Sequence, residues 1–330
     1  MTRLHVVVTD PIISRFADQL TGGGTDGHAW SMAAEWSEAR VRAALASADV
    51  VVCSRLSDSD AVACAQARLI QVSGAGYDRI ALDAVPAHVP VANAYCHGRS
   101  IAEHVLMVTM MLSRHVLRAD RELRAGTWRT IATDADVPFG STLSGRVLGI
   151  VGLGEIGGHV ARVASALGMR VRAVRSNPGA VGPEGAKIDW VGGVDDLIEL
   201  AAASDVLVVT TPLSERTRGM VGASVLAAMP STGLLINVAR GPVVDERALY
   251  EALMRDEIAG AGLDVWWEGS GTGQPSSMPF GELDNVVMTP HQSGHTVDTF
   301  DARARTIAAN VDAVVNGQPI RNVVREAQAE

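Results

Sequence analysis

The chain is most constrained by a glycine-spaced turn set between an apolar strand and an amphipathic helix. Val147-Leu148-Gly149-Ile150-Val151 leads into Gly152-Leu153-Gly154-Glu155-Ile156-Gly157, and a helix-periodic stretch follows as far as Leu167. The spacing alone is weak evidence, because 33 of the 330 residues are Gly. The setting gives it weight. Gly152 permits the tight turn, Gly154 leaves room for a pyrophosphate to approach backbone N–H groups, and Gly157 lets helix and strand pack closely. A merely tight strand–helix connection is the plain alternative, and the strand before and helix after favour a dinucleotide site.

The periodicity around this turn sets the fold class. Strands are predicted at 147–151, 170–174, 205–210, 233–237, 260–265 and 285–288, with helices at 157–167, 194–203, 223–229 and 245–255 between most of them. That is the alternation of a doubly wound, dinucleotide-sized α/β domain. The first hundred residues hold a smaller α/β series, with buried strands at 4–8, 49–52 and 69–73 and amphipathic stretches at 33–46 and 59–67. One long helix is predicted over 100–124 and another over 296–316, the latter returning to the first domain.

Length and composition agree with two globular domains: 330 residues, 47% apolar and 20% charged. There is no 18-residue apolar run, and the opening MTRLHVVVTDPIISRF turns polar too soon for a signal-peptide core, so a soluble, cytoplasmic protein without a membrane partner is expected. A formal charge of −9 argues against a nucleic acid partner. Cys53, Cys64 and Cys96 show no paired metal-ligand spacing, and Cys53 reads as a small buried hydrophobe.

In NAD-binding turns of this kind an acidic residue about 20 positions on accepts the ribose 2′-hydroxyl. Here the next strand delivers Arg175-Ser176-Asn177. A guanidinium pairs with a 2′-phosphate and no carboxylate repels it, which favours NADP over NAD. The alternative is that Arg175 is a solvated charge, or stacks on adenine without selecting a cofactor. Three later strands end in chemically able residues: Asn237-Val238-Ala239-Arg240-Gly241, Leu263-Asp264-Val265-Trp266-Trp267, and Thr289-Pro290-His291-Gln292-Ser293-Gly294. Reduction of a 2-oxo acid needs a cation for the carboxylate and a proton source for the carbonyl oxygen. Arg and His suit those tasks.

These segments, with Gly74-Ala75-Gly76-Tyr77-Asp78 and Ala102-Glu103-His104 before them, occur in an order that resembles the D-isomer-specific 2-hydroxyacid dehydrogenase family. The family includes glycerate, phosphoglycerate and D-lactate dehydrogenases and glyoxylate/hydroxypyruvate reductases. The resemblance implies an α/β protein of two doubly wound parallel-sheet domains. A Rossmann cofactor domain, residues 99–291, is inserted in a discontinuous flavodoxin-like substrate domain, residues 1–98 plus 292–330, with the active cleft between them. It implies hydride transfer between NAD(P)H and a small 2-oxo or 2-hydroxy acid, with Arg240 on the substrate carboxylate and His291 as general acid/base. Backbone N–H groups around Gly74, Ala75 and Gly76 hold the other side of that carboxylate. Asp264 helps orient the nicotinamide carboxamide, and Thr211 and Pro212 pass the adenosine side of the cofactor. Gly152, Gly154, Glu155, Ile156, Gly157, Arg175, Ser176, Val238, Ala239 and Ser293 complete the cofactor-facing set. A homodimer through the cofactor domain and the long helix is implied, and no metal is.

The pattern also breaks in places. The family carboxylate that pairs with the His falls at Gly269, while Glu268 stands one residue earlier. Glu268 either reaches His291 through a shifted loop or is a solvated loop carboxylate. Trp266 and Trp267 read as one pocket wall and one packing residue. Formate dehydrogenases of the same superfamily carry their substrate Asn where this chain has His97, so formate is a poor substrate guess, and His97 reads more readily as a surface loop residue. His104 reads as structural, and the His291/His295 spacing is a weak metal signal. Two rival readings are a cofactor-sensing corepressor of the same fold and hydride transfer from another small oxyacid such as phosphite.

Overall fold

The computed structural model describes residues 3–22, 27–267 and 275–328. The chain divides into two compact units, Met1–Cys96 with Thr296–Glu330, and His97–His295. The second is inserted in the first, and each is built on one mostly parallel sheet buried on both faces.

In the first unit the strands are β1 (His5–Val8), β2 (Ala29–Met32), β3 (Val50–Cys53), β4 (Leu69–Val72) and β5 (Val91–Ala92), with the strand Val323–Arg325 antiparallel at one edge beside β5. From that edge the order is β5, β4, β3, β1, β2. Side chains alternate between two apolar layers. Val7, Val51, Cys53 and Ile70 face one, while Val6, Val8, Val50 and Leu69 face the helix Val297–Asn316 through Phe300, Ala304, Ile307 and Val311. Period-2 alternation with both faces apolar is what buried parallel strands require. The predicted tail helix thus joins the first unit. Thr296 caps it by accepting from Thr299 N at 3.3 Å, and Gly317 ends it at φ 63°.

In the second unit the strands are β6 (Val147–Val151), β7 (Arg170–Val174), β8 (Trp190–Gly192), β9 (Val206–Val209), β10 (Leu234–Asn237), β11 (Gly260–Leu263) and β12 (Val286–Met288). Their order, β12-β11-β10-β9-β6-β7-β8, is the doubly wound arrangement with its reversal between β6 and β9. All six predicted strands are present, and β8 is an addition the sequence reading lacked. Leu148 and Ile150 of β6 pack with Ile101, Val105 and Val108 of the helix Gly98–Ser113 and with Val160 and Ala161 of the helix Glu155–Ala166. Val151 turns to the other face, against Leu200, Leu226 and Leu249.

One element differs from expectation. The single helix expected over 100–124 is two, Gly98–Ser113 and Val116–Arg124, broken where His115 takes φ 51°. That left-handed conformation cannot continue a right-handed helix. The run Leu112-Ser113-Arg114-His115 holds neither Gly nor Pro to announce the break.

A buried amide ties two segments of the first unit together. Asn310, 1% exposed, donates from Nδ2 to Gln71 Oε1 at 2.7 Å and to the Arg321 carbonyl at 3.1 Å, and its Oδ1 accepts from Arg321 N at 2.9 Å. Asn310→Ala strands the buried Gln71 side-chain carbonyl and removes both ties to the Arg321 backbone, so a loss of about 2–4 kcal/mol is expected. Urea unfolding of the variant reads it as a lowered midpoint, and a midpoint equal to the parent's contradicts this account.

Candidate active site

In a parallel sheet all strand ends of one sense lie on one edge, so residues that follow β6, β9, β10, β11 and β12 gather there. Gly152 follows β6, and its φ of 103° is open only to Gly without strain. A side chain there would also meet Thr211 N at 2.8 Å, which places Thr211 against the turn, across the reversal point of the sheet, with Pro212 next in the chain. A Cβ on Gly154 would enter open space, whereas one on Gly157 would run into the Gly152 carbonyl. Thr210 Oγ1 donates to that carbonyl at 2.6 Å, pinning the turn from β9. The first-turn N–H groups of the helix Glu155–Ala166 open beside it, where orphan donors and the helix dipole favour an anion. These residues fit the pyrophosphate of a dinucleotide. Glu155 does not crowd that position with its carboxylate: its Oε1 accepts from Gly98 N at 3.2 Å and lies 3.7 Å from His159 Nε2. Burial, with Arg162 and Arg99 nearby, holds the His159 pKa below its ordinary value. At the end of β7, Arg175 is half-buried and Ser176 is exposed. The Arg175 guanidinium reaches the Val181 carbonyl at 3.4 Å.

Three neighbouring strands supply the polar centre. At the end of β10, Asn237 is fully buried and grips the turn that follows. Its Nδ2 donates to the Arg240 carbonyl at 3.0 Å, and its Oδ1 accepts from Ala239 N at 3.1 Å. Val238 and Ala239 are buried, and the half-buried Arg240 guanidinium donates back to the Ala239 carbonyl at 2.8 Å. Gly241 lies so close to the Trp266–Trp267 peptide that a Cβ would collide with it.

After β11, Asp264 is 1% exposed, and both its oxygens are engaged. Oδ1 accepts from Thr289 Oγ1 at 2.7 Å and from Gln292 N at 2.8 Å, and Oδ2 accepts from Ser293 N at 2.9 Å. Asp264 N donates to the Asn237 carbonyl at 3.1 Å, joining the two grips. The exposed His291 sits inside this clamped turn at φ 55°, with its ring parallel to that of His295 at 6.4 Å between centroids. Arg240 and His291 therefore stand at the ends of strands separated by β11 alone, about 10 Å apart at the level of strand spacing.

The surroundings refine several expectations. Trp266 and Trp267 are both half-buried and packed against the apolar core of the second unit. Their indoles donate to the Thr289 carbonyl at 2.9 Å and the Val244 carbonyl at 2.8 Å, and Trp267 stacks on Phe280. His97, read as a surface loop residue, is 6% exposed, buried where the helix Gly98–Ser113 begins. His104 Nε2 lies 3.4 Å from Thr289 Oγ1, and burial lowers its pKa against the opposing pull of Asp264. Glu268 lies outside the described residues. Asn237, Thr289 and His104 thus belong to the site's frame. Only an amide at the end of an apolar strand and a hydroxyl just before Pro290-His291 could have signalled the first two.

In the first unit the segment after β4 forms its own small site. Ser73 Oγ donates to the buried Asp10 carboxylate at 2.5 Å, which also accepts from Ile12 N and Ile13 N. The Gly74 carbonyl accepts from Ala94 N at 3.1 Å and the Ala75 carbonyl from Asn93 Nδ2 at 2.8 Å. The N–H groups of Gly74, Ala75 and Gly76 meet no partner among the described residues. Successive unpaired N–H groups of this kind make a concavity for an anion.

Residues 106–293 match the family model described as "D-isomer specific 2-hydroxyacid dehydrogenase, NAD binding domain". A glyoxylate reductase of Korarchaeum cryptofilum is 34% identical over 261 residues, covering 78% of this chain and 76% of that protein. A D-3-phosphoglycerate dehydrogenase of Methanocaldococcus jannaschii is 33% identical over 259 residues; there the match spans 78% of this chain but only 47% of the relative. The crystal structure of an NADPH-dependent glyoxylate/hydroxypyruvate reductase from Sinorhizobium meliloti superposes with a TM-score of 0.80 at 26% identity, covering 98% of this chain and 99% of that one. The chain belongs to the D-isomer specific 2-hydroxyacid dehydrogenase family.

Proposed function

We propose that the protein reduces small 2-oxo acids, and oxidises the corresponding D-2-hydroxy acids, with a nicotinamide cofactor. The observation that carries this reading is the joined pair of grips, Asn237 and Asp264, which fixes the backbone of Arg240 and the turn of His291 on one sheet edge with the dinucleotide turn. A bound nicotinamide supplies the hydride to C2. The Arg240 guanidinium pairs with the substrate carboxylate and polarises the carbonyl. As negative charge develops on the carbonyl oxygen, protonated His291 delivers its proton there, leaving a neutral imidazole and a 2-hydroxy acid. In the reverse direction the same ring takes the hydroxyl proton. The unpaired N–H groups of Gly74, Ala75 and Gly76 bind the carboxylate as well.

With glyoxylate, hydroxypyruvate and larger 2-oxo acids, consumption of reduced cofactor is expected. His291→Ala should lower kcat roughly 100- to 10,000-fold, the range of general acid catalysis, and Arg240→Ala should raise KM for the acid, both without loss of cofactor binding by tryptophan quenching. Tight cofactor binding with no turnover across such a panel would instead favour a cofactor-sensing regulator.

We propose NADP as the preferred cofactor. Support comes from the guanidinium of Arg175 at the end of β7, the lack of a carboxylate in Arg175-Ser176-Asn177, and the NADPH dependence of the S. meliloti relative. NADPH should give the higher kcat/KM, and Arg175→Ala should erase most of the difference. A parent enzyme that prefers NADH removes this assignment.

We also infer a homodimer. The helices Gly98–Ser113 and Val116–Arg124 and the segment after them leave Met107, Met110, Leu123, Trp128 and Phe139 exposed, the last two by 72% and 79%. So much apolar surface on one stretch of chain is the mark of an interface. Light scattering should report twice the chain mass, and a monomer at micromolar concentration would refute it.

A further inference from the structure

We propose that Asn93 is a positioning residue for carboxylate binding, acting by fixing which way the Ala75–Gly76 peptide points. The inference rests on the reading of the Gly74–Gly76 turn as a carboxylate cradle, and adds the residue that makes the cradle one-sided.

In a trans peptide the carbonyl and the following N–H point in opposite directions, and the chain contains no cis bond among the described residues. Holding one end of the unit therefore aims the other. The Gly74 carbonyl is held by Ala94 N at 3.1 Å, which turns the N–H of Ala75 away from the sheet. The Ala75 carbonyl is held by the side chain of Asn93 at 2.8 Å, and this turns the N–H of Gly76 the same way. The first hold is backbone to backbone and would survive any side-chain change. The second depends on a single amide.

Asn93 is well placed to hold firmly. It is 1% exposed and follows β5, which is paired with β4 on one side and with Val323–Arg325 on the other. Its own N–H donates to the Asn322 carbonyl at 3.0 Å. Its Oδ1 is buried and meets no hydrogen-bond partner among the described residues, so the acceptor of the amide is unused. Stability alone would favour a smaller or fully paired side chain at such a position. The carbonyl of Ala75 has no other donor among the described residues, and the next residue is Gly, whose backbone is free to let the peptide turn over. Without Asn93 the Ala75 carbonyl can swing outward and present a partial negative charge where a carboxylate should bind.

The test compares the parent with Asn93→Ala on a 2-oxo acid and on its neutral amide, with NADPH affinity read by tryptophan quenching. KM for the acid should rise about tenfold or more, as for loss of a hydrogen bond to a charged group. The acid-over-amide ratio of kcat/KM should fall by a similar factor, while NADPH affinity is unchanged. A purely structural role would move neither the ratio nor KM selectively, and an unchanged ratio in folded Asn93→Ala overturns the proposal. Should that variant fail to fold, Gly76→Pro, which deletes the aimed N–H, must lower the same ratio, and an unchanged ratio there overturns it equally. A crystal structure of Asn93→Ala reads the hold without turnover. An Ala75 carbonyl turned outward supports the proposal, and one left inward refutes it. A parent that turns over neither substrate counts against the proposed function alone.

Discussion

The carboxylate of Asp264 is the group on which the polar centre of the second unit hangs. A carboxylate withdrawn from water is expensive unless its lone pairs are filled. Here they are filled by a hydroxyl, two backbone N–H groups and the geometry those donors impose. Two of the donors belong to consecutive residues directly after His291, so satisfying Asp264 and shaping the His291 turn are one event. The hydroxyl belongs to Thr289, whose carbonyl is taken by the Trp266 indole and whose oxygen lies near His104. From the same strand end, Asp264 N reaches the Asn237 carbonyl, and Asn237 spends its side chain on the Arg240 turn. The turns that carry Arg240 and His291 to one sheet edge are thus fixed by the side chains of Asn237 and Asp264 acting on backbone groups.

The two units shape their glycine turns by different means. The turn at Gly152 relies on glycine geometry and on a 12-residue helix whose first N–H groups lack internal partners. The turn at Gly74 has no long helix behind it and relies on carbonyls tied inward so that N–H groups point out. The first device tolerates little change of side chain because a Cβ meets backbone at Gly152 and Gly157. The second is open to a Cβ at Gly74, so its precision comes from what lies beneath it, Asp10 under Ser73 and Asn93 under Ala75.

Much of this was legible in the sequence, for a physical reason. Strands buried on both faces read as short apolar runs, and Gly or Arg punctuation marks where they end, so β6, β7, β9, β10, β11 and β12 and the residues that follow them could be placed. β8 (Trp190–Gly192) and β5 (Val91–Ala92) are as short as β12 or shorter and lack an apolar run like its Val286-Val287-Met288, so nothing marks them as strands. The break at His115 is written in residues that helices accept, so no local signal opposes continuity there. The grips of Asp264 on 289, 292 and 293 join residues 25 to 29 apart, and the Asn310–Gln71 bond spans 239. Partners of that kind are chosen by the folded sheet, and spacing along the chain carries no trace of them.

The conformation of His291 bears on how stability and chemistry divide at this edge. Five described residues other than Gly have positive φ: Cys96, His115, Asp256, His291 and Asn322. Asp and Asn enter that region at small cost, because their short polar side chains bond locally. His is tolerated there more than most side chains, and an imidazole at φ 55° costs up to about 1–2 kcal/mol relative to Gly. Gly in this turn would relieve it while leaving the N–H groups of Gln292 and Ser293 free to bond Asp264 as before. The strain is therefore unnecessary to the turn, and what it secures is an exposed ring on a backbone clamped on its C-terminal side. The exposed His115 adopts φ 51° at a helix break, so the conformation alone does not mark the His291 turn; what sets that turn apart is its attachment to the buried Asp264 through the N–H groups of Gln292 and Ser293.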